Sequence, residues 1–109
     1  RIKDLVIRGG ENIGCGEVEA ALLEHPLVQE ASVYAVPDQR LGEEVGTTLY
    51  VSSSVTESEL SGFLQERLAK FKIPRYIHQQ QTPLPRTASG KILKRDLREE
   101  ACQRLGLAQ

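Results

Sequence analysis

Residues 27–38 read LVQEASVYAVPD, and their alternation decides the fold. Ala31, Val33 and Ala35 point to one side, while Ser32, Tyr34 and Val36 point to the other, the period of two that marks a β-strand. Pro37-Asp38 ends it. Towards the N-terminus, Pro26 stops a helix at about His25. That helix is written in GEVEAALLEHP (16–26), where Val18, Ala21 and Leu22 share one face and Glu17 and Glu19 suit the positive end of the helix dipole. Further back, Leu5-Val6-Ile7 and Asn12-Ile13 flank Gly9-Gly10, which reads as a β-hairpin.

Towards the C-terminus, an acidic loop, DQRLGEE, leads to a second strand from about Val45 to Val51, with Val45, Thr47, Leu49 and Val51 on one face. Ser52–Ser54 is a turn. Thr56 and Glu59 form a capping box, and Leu60, Phe63, Leu64 and Leu68 follow at helical spacing, so a helix is expected from Glu57 to about Ala69. RYIHQ (75–79) is a short, polar strand expected at a sheet edge. A last helix begins near Ile92 or Leu93, with Leu93, Leu97, Ala101 and Leu105 as its apolar stripe. The expected fold class is α+β: a small mixed or antiparallel sheet of about three strands plus an N-terminal β-hairpin, covered by about three helices.

One small domain fits 109 residues. With 39% hydrophobic and 27% charged residues, the composition is that of a globular chain. The absence of Trp and the presence of only two Phe argue against a stacking-rich nucleic-acid binder. No apolar run approaches the ~18 residues of a membrane span. Cys15 and Cys102 make neither a metal set nor a disulfide framework, and read as free thiols in a reducing compartment.

Net charge is −1, but it is unevenly spread. Residues 1–66 carry 4 basic and 12 acidic side chains, whereas residues 67–109 carry 10 basic and 3 acidic ones. The basic part is a candidate surface for a phosphorylated ligand or an acidic partner domain, although charge alone favours a solvated helix with basic residues near its end. The chain opens on a charged, strand-like segment without Met, which suggests a piece of a longer protein whose partner domain lies upstream.

The segment TPLPRTASGK (82–91) sets one lysine, Lys91, just ahead of the last helix. A phosphate-binding P-loop would need glycine where Pro85 stands, and Ser or Thr where Ile92 stands. An RNA-binding G-x-x-G clamp is excluded because no two glycines lie three apart. Two readings remain. Lys91 is a solvated lysine in an ordinary turn, as most lysines are. Alternatively, Ala88, Ser89 and Gly90 let the backbone approach an anion that Lys91 and the helix start would attract together.

Two stretches, RIKDLVIRGGENIGCGEVEAAL and PLPRTASGKILKRDLRE, resemble the C-terminal domain of adenylate-forming acyl-CoA synthetases, a superfamily that includes peptide-synthetase adenylation domains and firefly luciferase. The shared features are Arg-x-Lys-Asp, Gly-Gly-Glu-Asn-Ile, Glu-Val-Glu and Pro-x-Thr-x-Ser-Gly-Lys-Ile, in that order. The segment HPLVQEASVYAVPDQRLGEEV fits between them. Gly14-Cys15-Gly16 departs from the family, many members of which have a bulky residue and a proline there.

The resemblance implies a two-step ligase. A carboxylate attacks the α-phosphorus of ATP, giving an acyl-adenylate and pyrophosphate; the thiol of coenzyme A then displaces AMP. The small domain moves between two orientations, one per step. Residues 1–109 would be this mobile lid, acting on its own large N-terminal domain, which binds ATP with Mg2+ and a carboxylic acid, most simply a fatty acid. Lys91 would be the catalytic cation of adenylation, supported by Thr87, Ser89 and Gly90. Lys3 would be the hinge. Arg8, Gly9, Gly10 and Glu11 would border the coenzyme A pantetheine channel. No metal site, nucleic-acid partner or transmembrane segment is expected on this chain, which alone would bind neither substrate nor cofactor, and the location would be cytoplasmic. His25 and His78 are expected to be structural or exposed. The alternatives are an adenylation domain loading a carrier protein and, in another class, a non-catalytic α+β module that binds acidic ligands.

Overall fold

The computed structural model describes residues 4–106. In chain order the elements are β1 (Leu5–Arg8), β2 (Glu11–Gly14), α1 (Cys15–Leu23), β3 (Val28–Asp38), β4 (Gly42–Val51), α2 (Glu57–Gln65), β5 (Tyr76–Gln80) and α3 (Lys94–Leu105), with a 3-10 turn at Lys70–Lys72 between α2 and β5. The fold is α+β, as expected, and the five strands form one sheet.

β3 and β4 are its spine, an antiparallel pair in register from Glu30↔Tyr50 to Asp38↔Gly42. β5 runs parallel to β4, from Gly46↔Tyr76 to Tyr50↔Gln80, so the sheet is mixed. The β1–β2 hairpin joins this sheet through one register pair, Arg8↔Gly42.

Both faces of β3 and β4 are covered. On one face, Val33, Val45, Leu49 and Val51 pack with Val18 and Leu22 of α1 and Leu60 and Leu64 of α2. On the other, Tyr34 and Val36 pack with Leu97, Ala101 and Cys102 of α3, and with Leu84. Each large aliphatic side chain so buried contributes about 1.5–3 kcal/mol, far more than helix propensity supplies, and this holds short helices such as α1 and α2 in place.

The outer edge of β3 is closed by side chains. Glu19 Oε2 of α1 accepts from Val33 N–H at 2.9 Å. Arg98 Nε of α3 donates to the Ala35 carbonyl at 2.6 Å. Pro37 has no N–H to offer. An edge treated in this way does not recruit another strand.

Several boundaries differ from the sequence reading. α1 begins at Cys15, two residues before Glu17, because Cys15 N–H is already satisfied by the Asp4 carbonyl at 3.0 Å. The β3–β4 loop is tighter than expected. Asp38 Oδ1 accepts from the N–H groups of Arg40 and Leu41, and β4 then starts at Gly42, whose φ is +84°. α2 keeps its cap, with Thr56 Oγ1 accepting from Glu59 N–H at 3.1 Å, but ends at Gln65 and not Ala69. Leu68 still reaches the core through a turn in which its N–H bonds the Leu64 carbonyl. α3 begins at Lys94 and closes on Gly106 at φ +70°, leaving Leu105 partly exposed and not in the core.

Candidate functional site

The TASGK segment is a closed turn. Arg86 and Ile92 pair across it as an antiparallel bridge. Inside the bridge, Thr87 N–H donates to the Lys91 carbonyl at 2.7 Å and Gly90 N–H donates to the Thr87 carbonyl at 2.9 Å. Gly90 takes φ +93°, the left-handed residue that ends a three-residue hairpin loop. Thr87 Oγ1 accepts from Lys91 N–H at 3.1 Å and lies 2.9 Å from Ser89 Oγ. Thr87, Ser89 and Gly90 therefore shape the turn from which Lys91 projects, exposed.

Among the described residues, Lys91 has no carboxylate partner, whereas Lys72 and Lys94 each have one or more. The helix start does not adjoin it. Ile92 and Leu93 intervene, Leu93 N–H bonds the Pro85 carbonyl, and Lys94 N–H bonds the Ile92 carbonyl. Lys91 thus belongs to the turn and not to the first turn of α3.

Three contacts tie this turn to the body of the protein, and none was singled out in the sequence. Leu84 buries its side chain against α3. Glu30 of β3 accepts from Leu84 N–H at 2.8 Å through Oε1 and pairs with Arg86 Nη2 through Oε2. Arg86 Nη1 in turn donates to the Gly90 carbonyl at 2.7 Å. Partial desolvation acts to raise the Glu30 carboxyl, but the hydrogen bonds from Arg86 and Leu84 outweigh it and hold the group below its ordinary value. The only hint in the chain was an arginine immediately before TASGK.

The second loop, RGGE, is the β1–β2 turn. Gly9 and Gly10 take φ +54° and +88°, the doubly left-handed arrangement of a two-residue hairpin. A Cβ on Gly9 would come within 3.1 Å of Leu41 Cδ2, while nothing lies within 4 Å of one on Gly10. Gly10 and Glu11 are exposed. Arg8 turns back instead, its Nε donating to the buried Glu44 Oε1 at 2.7 Å. Arg8 is thus part of the turn's footing. Lys3 lies outside the described residues.

The start of α3 is linked to the start of β1. Lys94 Nζ donates to Glu19 Oε2 at 2.8 Å and also to Asp4 Oδ2. Desolvation alone would lower the Lys94 ammonium, but these two carboxylates raise it above its ordinary value. Beside them, burial pushes the Cys15 thiol up to about 12.

The histidines lie elsewhere. His25 is buried, with Leu27 N–H donating to its Nδ1 and its Nε2 3.2 Å from Glu59 Oε2. His78 of β5 is half-buried, and desolvation, followed by nearby Arg104, lowers its basicity.

A family model of the AMP-binding enzyme C-terminal domain matches residues 17–91. A mitochondrial medium-chain acyl-CoA ligase of Mus musculus is 46% identical over 109 residues, covering 98% of this chain and 18% of that protein. The o-succinylbenzoate CoA synthetase of Bacillus subtilis superimposes in two forms. A double mutant bound to a product analogue gives a TM-score of 0.84 at 41% identity, covering 91% of this chain and 20% of that one. The complex with its acyl-adenylate intermediate gives 0.82 at 43%, covering 89% and 20%. The chain thus spans about a fifth of the length of these relatives.

Proposed function

The chain belongs to the AMP-binding enzyme C-terminal domain family, and on that basis we propose that it is the lid of an ATP-dependent acyl-CoA ligase. The observation that carries the reading is Lys91, an exposed lysine free of carboxylates among the described residues and held on a hydrogen-bonded turn. A compact cation on a long stem can enter a site built by a larger N-terminal part of the protein. There it bridges the attacking carboxylate and the α-phosphate oxygens of ATP. This lowers the repulsion between two anions and offsets the charge that builds on the phosphoryl group. Magnesium arrives with ATP on the larger part.

In the second step the lid turns about Lys3, and the RGGE turn replaces the lysine loop. Gly9 and Gly10 leave room for the pantetheine arm of coenzyme A, with Arg8 and Glu11 at its border. The acid is a fatty acid in this proposal, and the reducing compartment is the cytoplasm. The relatives supporting the acyl-CoA branch are a medium-chain acyl-CoA ligase and an o-succinylbenzoate CoA synthetase.

The test is CoA-dependent pyrophosphate release by the full-length protein over a panel of carboxylic acids. Release with a fatty acid and CoA is expected. An acid that is adenylated but transferred only to a carrier protein would replace this reading with carrier loading.

A further inference from the structure

Lys91 works only if its ammonium reaches one place. Yet residues 85–91 are exposed, and a lysine stem has many rotamers. An unrestrained turn would spread the cation over several ångströms, and a displacement of about 1 Å can cost about 100-fold in rate. What restrains this turn is a relay that starts on the central sheet.

Glu30 stands on β3. One of its oxygens holds the Leu84 backbone and the other holds the Arg86 guanidinium. A second nitrogen of the same guanidinium holds the Gly90 carbonyl, one residue before Lys91. The sequence separations of 54 and 56 residues make this a tertiary clamp and not a property of the turn itself. Arginine's planar fork reaches the two partners from two separate nitrogens in a fixed geometry, whereas a lysine would have to serve both from one. Glu30 and Arg86 have side-chain exposures of 18% and 42%, so the ion pair lies near the surface, while Leu84, whose N–H it holds, is in the core.

We propose that Glu30 and Arg86 are positioning residues for adenylation, which aim Lys91 by clamping its turn to β3 and have no part in the thioester step. This rests on the reading of Lys91 as the adenylation cation.

The experiment uses the full-length protein and the variants Glu30→Gln, Arg86→Ala, Arg86→Lys and Lys91→Ala. Adenylation is read as acid-dependent ATP–pyrophosphate exchange, and thioester formation is read from supplied acyl-adenylate and CoA. Hydrogen exchange of the Thr87, Gly90 and Lys91 amides reports on the turn directly. The expected result is an adenylation kcat lowered about 10- to 100-fold in Glu30→Gln and Arg86→Ala, with the KM for ATP within about twofold. Arg86→Lys should fall between Arg86→Ala and the unmodified protein. Thioester formation should be unchanged, and exchange at the three amides should be faster. Equal loss in both half-reactions, or unchanged exchange at the turn, overturns the proposal. So does normal adenylation by Glu30→Gln and Arg86→Ala when Lys91→Ala is inactive, an outcome that leaves the Lys91 reading standing. Normal adenylation by Lys91→Ala overturns both.

Discussion

Arg8 and Glu44 meet at 2.7 Å beneath the β1–β2 turn, with Glu44 only 2% exposed. Glu44 Oε1 also accepts from Val45 N–H at 3.0 Å. Removing the carboxylate strands a partly buried guanidinium, whereas Glu44→Gln keeps an acceptor. Glu44→Ala is expected to cost about 3 kcal/mol and Glu44→Gln clearly less, as read by denaturant unfolding of the 109-residue chain. Equal losses would show that the charge pair is not what secures the turn.

Gly10 permits a cleaner test of the turn's function than Gly9. Its φ of +88° strains any L-residue, but no atom lies near an added Cβ, so a substitution there disturbs little else. Gly10→Leu should block thioester formation in the full-length protein and spare adenylation, with Gly10→Ala milder. Selective loss of adenylation would contradict the assignment of this turn to the second step.

Inside the sheet, Gly46 has a different reason to be glycine. An added Cβ would lie 2.9 Å from Tyr34 Cε1 and 3.3 Å from Val36 Cγ1. Tyr34 cannot move freely, since its hydroxyl is 2.7 Å from Thr48 Oγ1. Gly46→Ala should therefore destabilise the chain by about 1–3 kcal/mol. A melting temperature equal to that of the unmodified chain would show that the ring has room to shift.

Two pH effects follow from opposite shifts. The Glu30 carboxyl is held below its ordinary 4.5, so its clamp is fully present above that pH and is lost as pH falls through the lower, folded value. Amide protection of Leu84 should persist to pH 4.5 and disappear in stronger acid. Cys15 is raised from 9.0 to about 12, so the stability contributed by its neutral thiol is complete below pH 9 and lost between 9 and 12. Alkylation of Cys15 at pH 8 should accordingly be slow until denaturant is added, as followed by mass spectrometry.

The local elements could be read from the sequence. The alternation of residues 31–36, the Gly-Gly turn and the Thr56–Glu59 cap each depend on neighbours a few residues apart, and each is where the pattern puts it. The parallel pairing of β5 with β4 was not legible, because strand direction depends on a connection that periodicity does not encode. α2 ends before its apolar spacing does, since Leu68 is buried equally well from a turn. For the site, the TASGK motif exposed the turn, but not what secures it. Glu30 with Arg86, and Lys94 with Asp4, are 56 and 90 residues apart, and only the packed sheet brings them together.

The most direct measurement is the rate of acyl-adenylate formation by full-length Lys91→Ala, set beside its rate of thioester formation from supplied adenylate. The first is expected to fall by about 100-fold or more, and the second to stay near that of the unmodified protein. Adenylate formation at the unmodified rate would contradict the adenylation role of Lys91.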